Sequence, residues 1–209
     1  MVAGAAERIA ADALAPEEAG RADLYALLAA LFYSPPSAEL LGMIARSEPA
    51  GEPDGTFYQA WLALKDAAGR CDPVAVQQEF QDLFYAPGRA PVMAYASYHR
   101  AGFLMDKPLV ELREHLAQLG FARREGVGEP EDHFSALCDV MRFLVAGDGG
   151  APAAPLAEQQ EFFGRHIAPW YRKLIAEINA CERADLYRHV GRFAEAFLDV
   201  ESSSFNIGS

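Results

Sequence analysis

Apolar residues recur every three or four positions along most of the chain, and strand-like alternation of apolar and polar residues is almost absent. This spacing places the apolar side chains on one face of a helix, so each such segment predicts an amphipathic helix. In the first segment the apolar stripe consists of Leu24, Leu27, Leu28, Leu31 and Phe32. Taken together, the segments predict an all-α, single-domain helical bundle of about eight to ten helices.

Two helix starts can be predicted from capping residues. Ser37 and Asp72 stand directly before helical segments, and Pro73 follows Asp72. Serine and aspartate side chains accept hydrogen bonds from free backbone N–H groups at a helix start, and proline suits the first helical position. We therefore expect helices to begin directly after Ser37 and Asp72. The inward face of the second helix is expected to contain Val76, Phe80, Leu83 and Phe84.

The domain boundaries are expected to coincide with the chain, because one domain over residues 1–209 accounts for the whole pattern. Residues 1–16 and 202–209 are predicted to be loose ends, and the Gly- and Pro-rich stretch 147–155 a flexible connector. Residues 86–108 form a long segment without helical spacing. Its aromatic residues argue against disorder, and loops of this length are often functional.

Composition and charge exclude several classes of function. The chain has 30 acidic and 18 basic residues, a formal net charge of −12, which argues against a nucleic-acid binder.

Cys71, Cys138 and Cys181 are scattered and lack zinc-ligand spacing, which fits a reducing compartment. The first residues lack the basic start of a secretory signal, and no uncharged run is long enough to span a bilayer. We therefore expect a cytoplasmic protein without a metal or another cofactor.

The stretch "GEPEDHF", residues 128–134, concentrates acids, a proline and a histidine. One interpretation is a helix start, with Pro130 in the first turn and Glu131 and Asp132 at the positive end of the helix dipole. This interpretation leaves His133 unexplained. A neutral imidazole beside Asp132 could instead help to hold a polar peptide.

Catalysis has weaker support from the sequence. Carboxylates beside a histidine could act as general acids and bases, but no activated serine or cysteine motif accompanies them. The chain also lacks an HExxH motif and a phosphate-binding glycine loop. We predict neither a catalytic residue nor a metal site.

Four motifs in the expected order resemble the TorD/DmsD family of bacterial molybdoenzyme chaperones. "GEPEDHF" resembles that family's Glu-Pro-x-Asp-His signature, and "EFQDLFYAPG" resembles its Tyr/Phe-x-x-Leu-Phe segment. "LYALLAALFYSPPSAELL" and "FGRHIAPWYRKLI" are similar to its opening helices and its late helix pair. The resemblance covers about residues 20 to 200. The loop "APVMAYASYH" departs from the family's more Pro-rich pattern.

The resemblance implies an all-α, TorD-like fold and a dedicated chaperone rather than an enzyme. Such a chaperone binds the twin-arginine (Tat) signal peptide of an immature molybdoenzyme, supports cofactor insertion and delays export until assembly is complete. The implied peptide-binding residues are Glu129, Pro130, Asp132 and His133, with apolar surface from Phe80, Leu83 and Phe84. A cationic, apolar peptide needs carboxylates for its guanidinium groups and an aromatic-lined groove. Tyr85, Tyr95 and Tyr98 are further aromatic candidates for that groove.

The implied partner is the apo form of a molybdenum-containing oxidoreductase, either an S- or N-oxide reductase or a formate dehydrogenase. Hand-over to the Tat system near the membrane is a further expectation, and both a monomer and a helix-swapped dimer are compatible with the chain. Two alternatives remain open on the residues alone. One is a GTP-dependent switch or an enzyme using Asp132 and His133; the other is an adaptor that docks a folded subunit through residues 86–108.

Overall fold

The computed structural model describes residues 14–49, 51–123, 126, 128–147 and 151–207. Within this part of the chain there are ten helices, which confirms the all-α prediction. They are α1 (Pro16–Tyr33), α2 (Ala38–Arg46), α3 (Thr56–Arg70), α4 (Pro73–Phe84), α5 (Ala96–Ala101), α6 (Lys107–Gln118), α7 (Phe134–Ala146), α8 (Leu156–His166), α9 (Tyr171–Ala180) and α10 (Leu186–Ile207). None of the helices in the described ranges is both long and apolar enough to cross a membrane.

The two predicted helix starts are confirmed. The Leu40 N–H donates to Ser37 Oγ at 3.1 Å, and the Val74 N–H donates to Asp72 Oδ1 at the same distance. Each capping side chain thus satisfies a backbone donor that has no partner within its helix.

Helices α1 and α7 pack against each other in antiparallel directions at the centre of the bundle. Phe32, near the end of α1, meets Phe134, the first residue of α7, with 4.7 Å between the ring centroids. Tyr25, two turns earlier in α1, lies near Cys138, one turn later in α7. The buried stripe of α1 is rotated from the predicted one: Tyr25 is fully buried, whereas Leu24, at the predicted centre, is only partly buried.

A buried carboxylate caps the last helix from a distant part of the chain. Glu79 in α4 accepts hydrogen bonds from the backbone N–H groups of Asp185, Leu186 and Tyr187 at 2.8–3.1 Å. Burial raises the pKa of Glu79, while the three N–H donors act in the opposite direction. The positive end of the α10 dipole further favours the ionised carboxylate. Glu79 therefore fixes the start of α10 against α4.

The prediction of a loose C-terminal tail is wrong for residues 202–207, because α10 continues through them. Phe205 is buried, and its backbone carbonyl accepts a hydrogen bond from Gln160. One turn earlier, the buried Glu201 receives two hydrogen bonds from the Arg21 guanidinium, at 2.8 and 2.7 Å. These contacts attach the last turns of α10 to α1 and α8.

The other segments predicted to be loose lie partly outside the described residues. At the N-terminus the chain is described from residue 14, and Pro16 already begins α1. In the predicted connector 147–155, residues 148–150 are outside the described ranges. At its far end the Ala154 N–H donates to the Leu144 carbonyl at 2.8 Å, so this end is bonded to α7.

The segment 86–108 is not irregular throughout, since it contains α5 and the first residues of α6. It is also anchored to the bundle. The Val92 N–H donates to the Leu83 carbonyl, and the Met93 N–H donates to the Glu177 carboxylate. Lys173 donates to the His99 carbonyl at 3.0 Å. Sequence spacing missed α5 because a six-residue helix is too short to show a period.

Two buried histidines from different helices form a hydrogen bond. His115 Nδ1 of α6 and His166 Nε2 of α8 lie 2.8 Å apart. Burial, and then the neighbouring His115, lower the pKa of His166 to about 3. A hydrogen bond between two rings needs a lone pair on one of them, so the two rings cannot both be protonated.

We predict that Glu79→Gln lowers the free energy of unfolding by about 2–3 kcal/mol, because an amide offers one acceptor oxygen and turns its NH₂ group towards backbone donors. Urea unfolding at neutral pH measures the change. Gln78→Ala, on the exposed side of the same helix, is the matched control and should stay within about 0.5 kcal/mol of the parent. Equal stability of Glu79→Gln and the parent would refute the capping role.

We also predict that the protein loses stability as the pH falls below about 6.5. The folded state depresses the pKa of His166, so between about pH 6.5 and 3 the unfolded chain binds the additional proton. The stabilisation is complete above pH 6.5, and about 2 kcal/mol is lost from this group between pH 7 and pH 5.

Urea unfolding at several pH values tests this dependence. His166→Asn should flatten the slope of unfolding free energy against pH, whatever its effect on stability at pH 7. His189→Gln, at a half-buried position in α10, should leave most of the slope in place. An unchanged slope in His166→Asn would contradict the assignment.

Candidate functional site

The interpretation of Pro130 as part of a helix is wrong, because α7 begins only at Phe134. His133 is the N-cap residue, with extended backbone angles, and its Nδ1 accepts from the Ser135 N–H at 3.2 Å. Glu131 and Asp132 therefore lie before the helix and not in its first turn. The reason is that this stretch pairs with residues 94–97 instead of continuing the helix backwards.

Asp132 holds the start of α5. Its Oδ2 accepts a hydrogen bond from the Ser97 N–H at 2.8 Å, and its carbonyl accepts from the Ala96 N–H at 3.0 Å. Beside these contacts, the Phe134 N–H donates to the Ala94 carbonyl, and Tyr95 and His133 form an antiparallel bridge. Asp132 is only 1% exposed, so it shapes the site from inside the protein. A direct contact with a peptide would require this segment to open.

His133 is neutral, as the sequence predicted, although mainly for a different reason. Burial lowers the pKa of His133 to about 4, against the opposing effect of the nearby Glu129 and Asp132 charges. Because Nδ1 accepts from the Ser135 backbone, the ring proton resides on Nε2. With 4% exposure and its ring packed edge-on against Tyr95, His133 supports the site without forming its surface.

A groove of about 560 Å³ adjoins this corner of the molecule. Its floor is the seam between α1 and α7, and one wall consists of the end of α6 with residues 121–123 and 129–131. The apolar lining residues are Ala26, Ala29, Ala30, Tyr33, Leu116, Phe121, Ala122, Pro130, Ala136, Val140 and Phe143. The polar ones are Arg123, Glu129, Glu131, Ser135, Asp139 and Arg142.

The three carboxylates that line the groove differ in their partners. Glu131 receives two hydrogen bonds from Arg113, which lower its pKa although burial acts in the other direction. Asp139 forms an ion pair with Arg142 at 2.9 Å. Glu129 is bound by neutral groups: the Tyr95 hydroxyl donates to Oε2 at 2.5 Å, and the Tyr85 hydroxyl lies 3.4 Å from Oε1.

This difference determines where a ligand cation would bind. Hydroxyl groups orient a carboxylate but leave its full negative charge, whereas a guanidinium partner neutralises it. Glu129 is therefore the groove carboxylate best suited to receive an additional cation. Burial, followed by the hydrogen bond to Glu129 and then the Glu129 charge, raises the pKa of Tyr95, so this tyrosine remains a proton donor.

The aromatic segment before residue 86 contributes less surface than expected. Phe80 and Leu83 are 1% and 0% exposed and belong to the core, so the expectation that they offer apolar surface to a peptide is corrected. Phe84 is half-buried and packs against Phe32. Only Tyr85, at 47% exposure, faces outwards, and it contacts Glu129 rather than lining the groove. The helical spacing of Phe80, Leu83 and Phe84 had already indicated that they lie on the inward face of the helix.

The apolar lining comes instead from residues that sequence reasoning did not select. Ala26, Ala29, Ala30 and Tyr33 recur on one face of α1, beside its buried stripe. Small residues at this spacing were the signal that could have indicated a shallow channel along the helix. Tyr98, a further aromatic candidate, packs against Arg89 and is not among the residues that line the groove.

Among the described residues, no group of three or more His, Cys, Asp or Glu side chains could hold a metal ion. The buried Asp132 and His133 are engaged by Ser97 and Ser135, respectively. This arrangement orients the backbone segments that carry Asp132 and His133, and it keeps both side chains buried.

We predict that Asp132→Ala loosens α5 and lowers the free energy of unfolding by about 2–3 kcal/mol, because the Ser97 N–H loses its charged acceptor. Hydrogen exchange at the Ser97 and Ala96 amides should be faster in Asp132→Ala than in the parent, and this increase should exceed any change at amides in α10. Asp66→Ala, on the exposed face of α3, removes the same charge and should leave exchange at Ser97 unchanged. Slow exchange of Ser97 in Asp132→Ala would exclude the anchoring role.

Comparison with known proteins identifies the family. Residues 52–176 match the family model described as nitrate reductase delta subunit. The match covers about three-fifths of the chain and includes both the Phe80–Tyr85 segment and the 128–134 stretch.

Individual proteins agree with this match. The chain is 24% identical over 159 residues to the chaperone protein TorD of Vibrio atlanticus (strain LGP32), over 70% of this chain and 74% of the relative. Its fold is similar to the crystal structure of a protein proposed to act in redox enzyme maturation, from Archaeoglobus fulgidus. That comparison gives a TM-score of 0.55 and 21% identity, and covers 86% of this chain and 92% of the other. The resemblance seen in the motifs is thus confirmed, and the chain belongs to the nitrate reductase delta subunit family, with the TorD/DmsD-type chaperones.

Proposed function

We propose that this TorD-like chaperone binds the twin-arginine signal peptide of a molybdoenzyme precursor in the groove between α1 and α7. Binding would keep the precursor from export until its molybdenum cofactor is inserted. Glu129 and Pro130 line the groove, whereas Asp132 and His133 support it from behind. The proposal therefore keeps the predicted corner of the molecule but divides its residues into contacting and supporting ones.

The observation that carries the proposal is the Glu129 carboxylate, oriented by the hydroxyl groups of Tyr95 and Tyr85 at the edge of an apolar groove. A guanidinium group binds best to a carboxylate that is fixed in position and not already neutralised. Because the tyrosines hold the carboxylate before a ligand arrives, little side-chain entropy is lost on binding.

The groove also suits the apolar part of such a signal. Its volume of about 560 Å³ is within the usual range for ligand-binding clefts. The alanines on its floor leave room for larger ligand side chains, and Phe121 and Phe143 supply aromatic surface. A cationic head and an apolar body thus find adjacent, complementary surfaces.

The alternatives have less support from the geometry. An enzyme or GTP switch centred on Asp132 and His133 would need these side chains to reach a substrate, and both are buried. The relative from Vibrio atlanticus is named as a chaperone, which supports a function without catalysis. An adaptor role for residues 86–108 would be limited to their exposed parts, because residues 92–99 are anchored to the bundle.

The proposed location, hand-over and partners follow from a molybdoenzyme precursor as the client. Signal binding before export takes place in the cytoplasm, with hand-over to the Tat translocase at the membrane. The proposed client is the apo form of an S- or N-oxide reductase or of a formate dehydrogenase. The groove is formed within one chain, so both a monomer and a helix-swapped dimer could bind a peptide.

We predict that Glu129→Gln weakens binding of a synthetic peptide with two adjacent arginines and an apolar stretch by about tenfold, or about 1.4 kcal/mol. The reason is that the amide keeps the shape of the side chain but removes its charge. Isothermal titration calorimetry at low and moderate salt measures the effect, which should shrink as salt screens the charges.

Glu111→Gln is the matched control, because it makes the same charge change on the exposed face of α6, outside the groove lining. A peptide with both arginines replaced by glutamine should bind the parent and Glu129→Gln equally. If the folded parent binds no arginine-pair peptide, the proposed function fails. If parent and Glu129→Gln bind equally well, the assigned residue is wrong.

A further inference from the structure

We infer that the groove accepts its peptide in one direction only, with the arginine pair beside Tyr33 and Glu129 and the following apolar stretch directed towards Phe121 and Phe143. This inference rests on the proposed function and adds the polarity of the bound signal. It derives from the order of the lining residues along the two antiparallel helices and from the different partners of the charged groups at each end.

The two ends of the groove follow from the packing of α1 against α7. Since Phe32 contacts Phe134, the end of α1 lies beside the start of α7. Tyr33 and Ser135 therefore belong to one end, which we call the acidic end. Glu129 belongs to the same end, because Tyr85 lies near both Glu129 and Tyr33. At the opposite end, Ala26 of α1 lies towards Phe143 of α7. We call this the aromatic end.

The wall of the groove runs in the same order. Phe121 lies beside Phe143, with 6.1 Å between the ring centroids, and so belongs to the aromatic end. Arg123, two residues later, donates to the carbonyls of Gly128 and Glu129 and so belongs to the acidic end. The floor and the wall of the groove thus both change from aromatic residues at the aromatic end to charged residues at the acidic end.

Charge is distributed unequally between the ends. At the aromatic end Arg142 pairs with Asp139, and its guanidinium lies 3.9 Å above the Phe143 ring centroid. That end is therefore close to neutral and contains a fixed cation. At the acidic end Arg113 pairs with Glu131, and Arg123 lies 3.9 Å from Glu131 while it donates to the carbonyls of Gly128 and Glu129. The Glu129 carboxylate itself is oriented by tyrosine hydroxyls.

These charges disfavour the reversed peptide for two reasons. Its arginines would find at the aromatic end only Asp139, a carboxylate that Arg142 already neutralises, and its apolar residues would cover the Glu129 carboxylate without offering it a cation. The loss of a charge-assisted hydrogen bond and the burial of an uncompensated charge are both unfavourable. The groove thus selects direction by rejecting the wrong arrangement as well as by binding the right one.

The length of the floor defines which part of the signal is bound. Ala26 and Tyr33 are seven residues apart in α1, about 10 Å along the helix axis. This distance accommodates about seven residues of a helical peptide or about three of an extended one. The residues directly after the arginine pair are therefore those that the groove encloses.

Photo-crosslinking with a pair of synthetic peptides tests the polarity. Both peptides contain two adjacent arginines followed by about seven apolar residues, enough to cover the floor as a helix. One carries benzoylphenylalanine before the arginines, and the other carries it at the end of the apolar stretch. Mass spectrometry of the crosslinked full-length chain locates each attachment. We expect the first probe to label Tyr33 and residues 128–135, and the second to label Ala26, Phe121 and residues 140–143, each with about tenfold preference.

A charge exchange provides the matched variants. In the double variant Glu129→Gln/Arg142→Glu the acidic group moves to the aromatic end, and the two labelling patterns should exchange. The variant Glu111→Gln should keep the parent pattern. Equal labelling of both ends by each probe, or a pattern opposite to the expected one in the parent, overturns the inference.

The outcomes separate the inference from the proposed function. Labelling inside the groove with the wrong polarity leaves peptide binding in place and refutes only the direction. Labelling outside the groove refutes the site and with it the direction. The absence of binding by calorimetry refutes the proposed function itself.

Discussion

The candidate site depends on one buried carboxylate, Asp132, which joins two segments that are distant in sequence. Its side chain and carbonyl bind the backbone of Ser97 and Ala96, and the following residues pair with Ala94 and Tyr95. Because Tyr95 is fixed in this way, its hydroxyl group can hold Glu129 at the edge of the groove. The position of the surface carboxylate thus depends on a contact below the surface.

A second buried carboxylate, Glu79, likewise orients the start of a helix in another part of the fold. Glu79 binds three backbone N–H groups at the start of α10, just as Asp132 binds the start of α5. Each acid supplies from another part of the chain an acceptor that the helix start lacks. A buried charge is tolerated only when such donors compensate for its lost hydration. The acids in both family-like segments, "EFQDLFYAPG" and "GEPEDHF", therefore include residues whose role is to orient helices.

The sequence predicted the local features of the fold well and the long-range ones poorly. The helical class and the caps at Ser37 and Asp72 follow from neighbouring residues, and the structure confirms them. The cap that Glu79 provides, by contrast, joins residues more than a hundred positions apart, and no local pattern encodes it. The tail was misjudged because polar residues surround Phe205, which is buried.

For the candidate site, too, the local features could be predicted from the sequence and the long-range contacts could not. The motif located the correct corner of the molecule, but composition could not tell which of its acids faces outwards. That assignment depends on the partner of each carboxylate: arginines for Glu131, the Ser97 backbone amide for Asp132, and tyrosine hydroxyls for Glu129. A protein of net charge −12 has many carboxylates that could attract a cationic peptide. Long-range attraction alone would therefore bring the peptide to the surface without placing it, and specific placement requires a carboxylate that is fixed, charged and adjacent to an apolar groove.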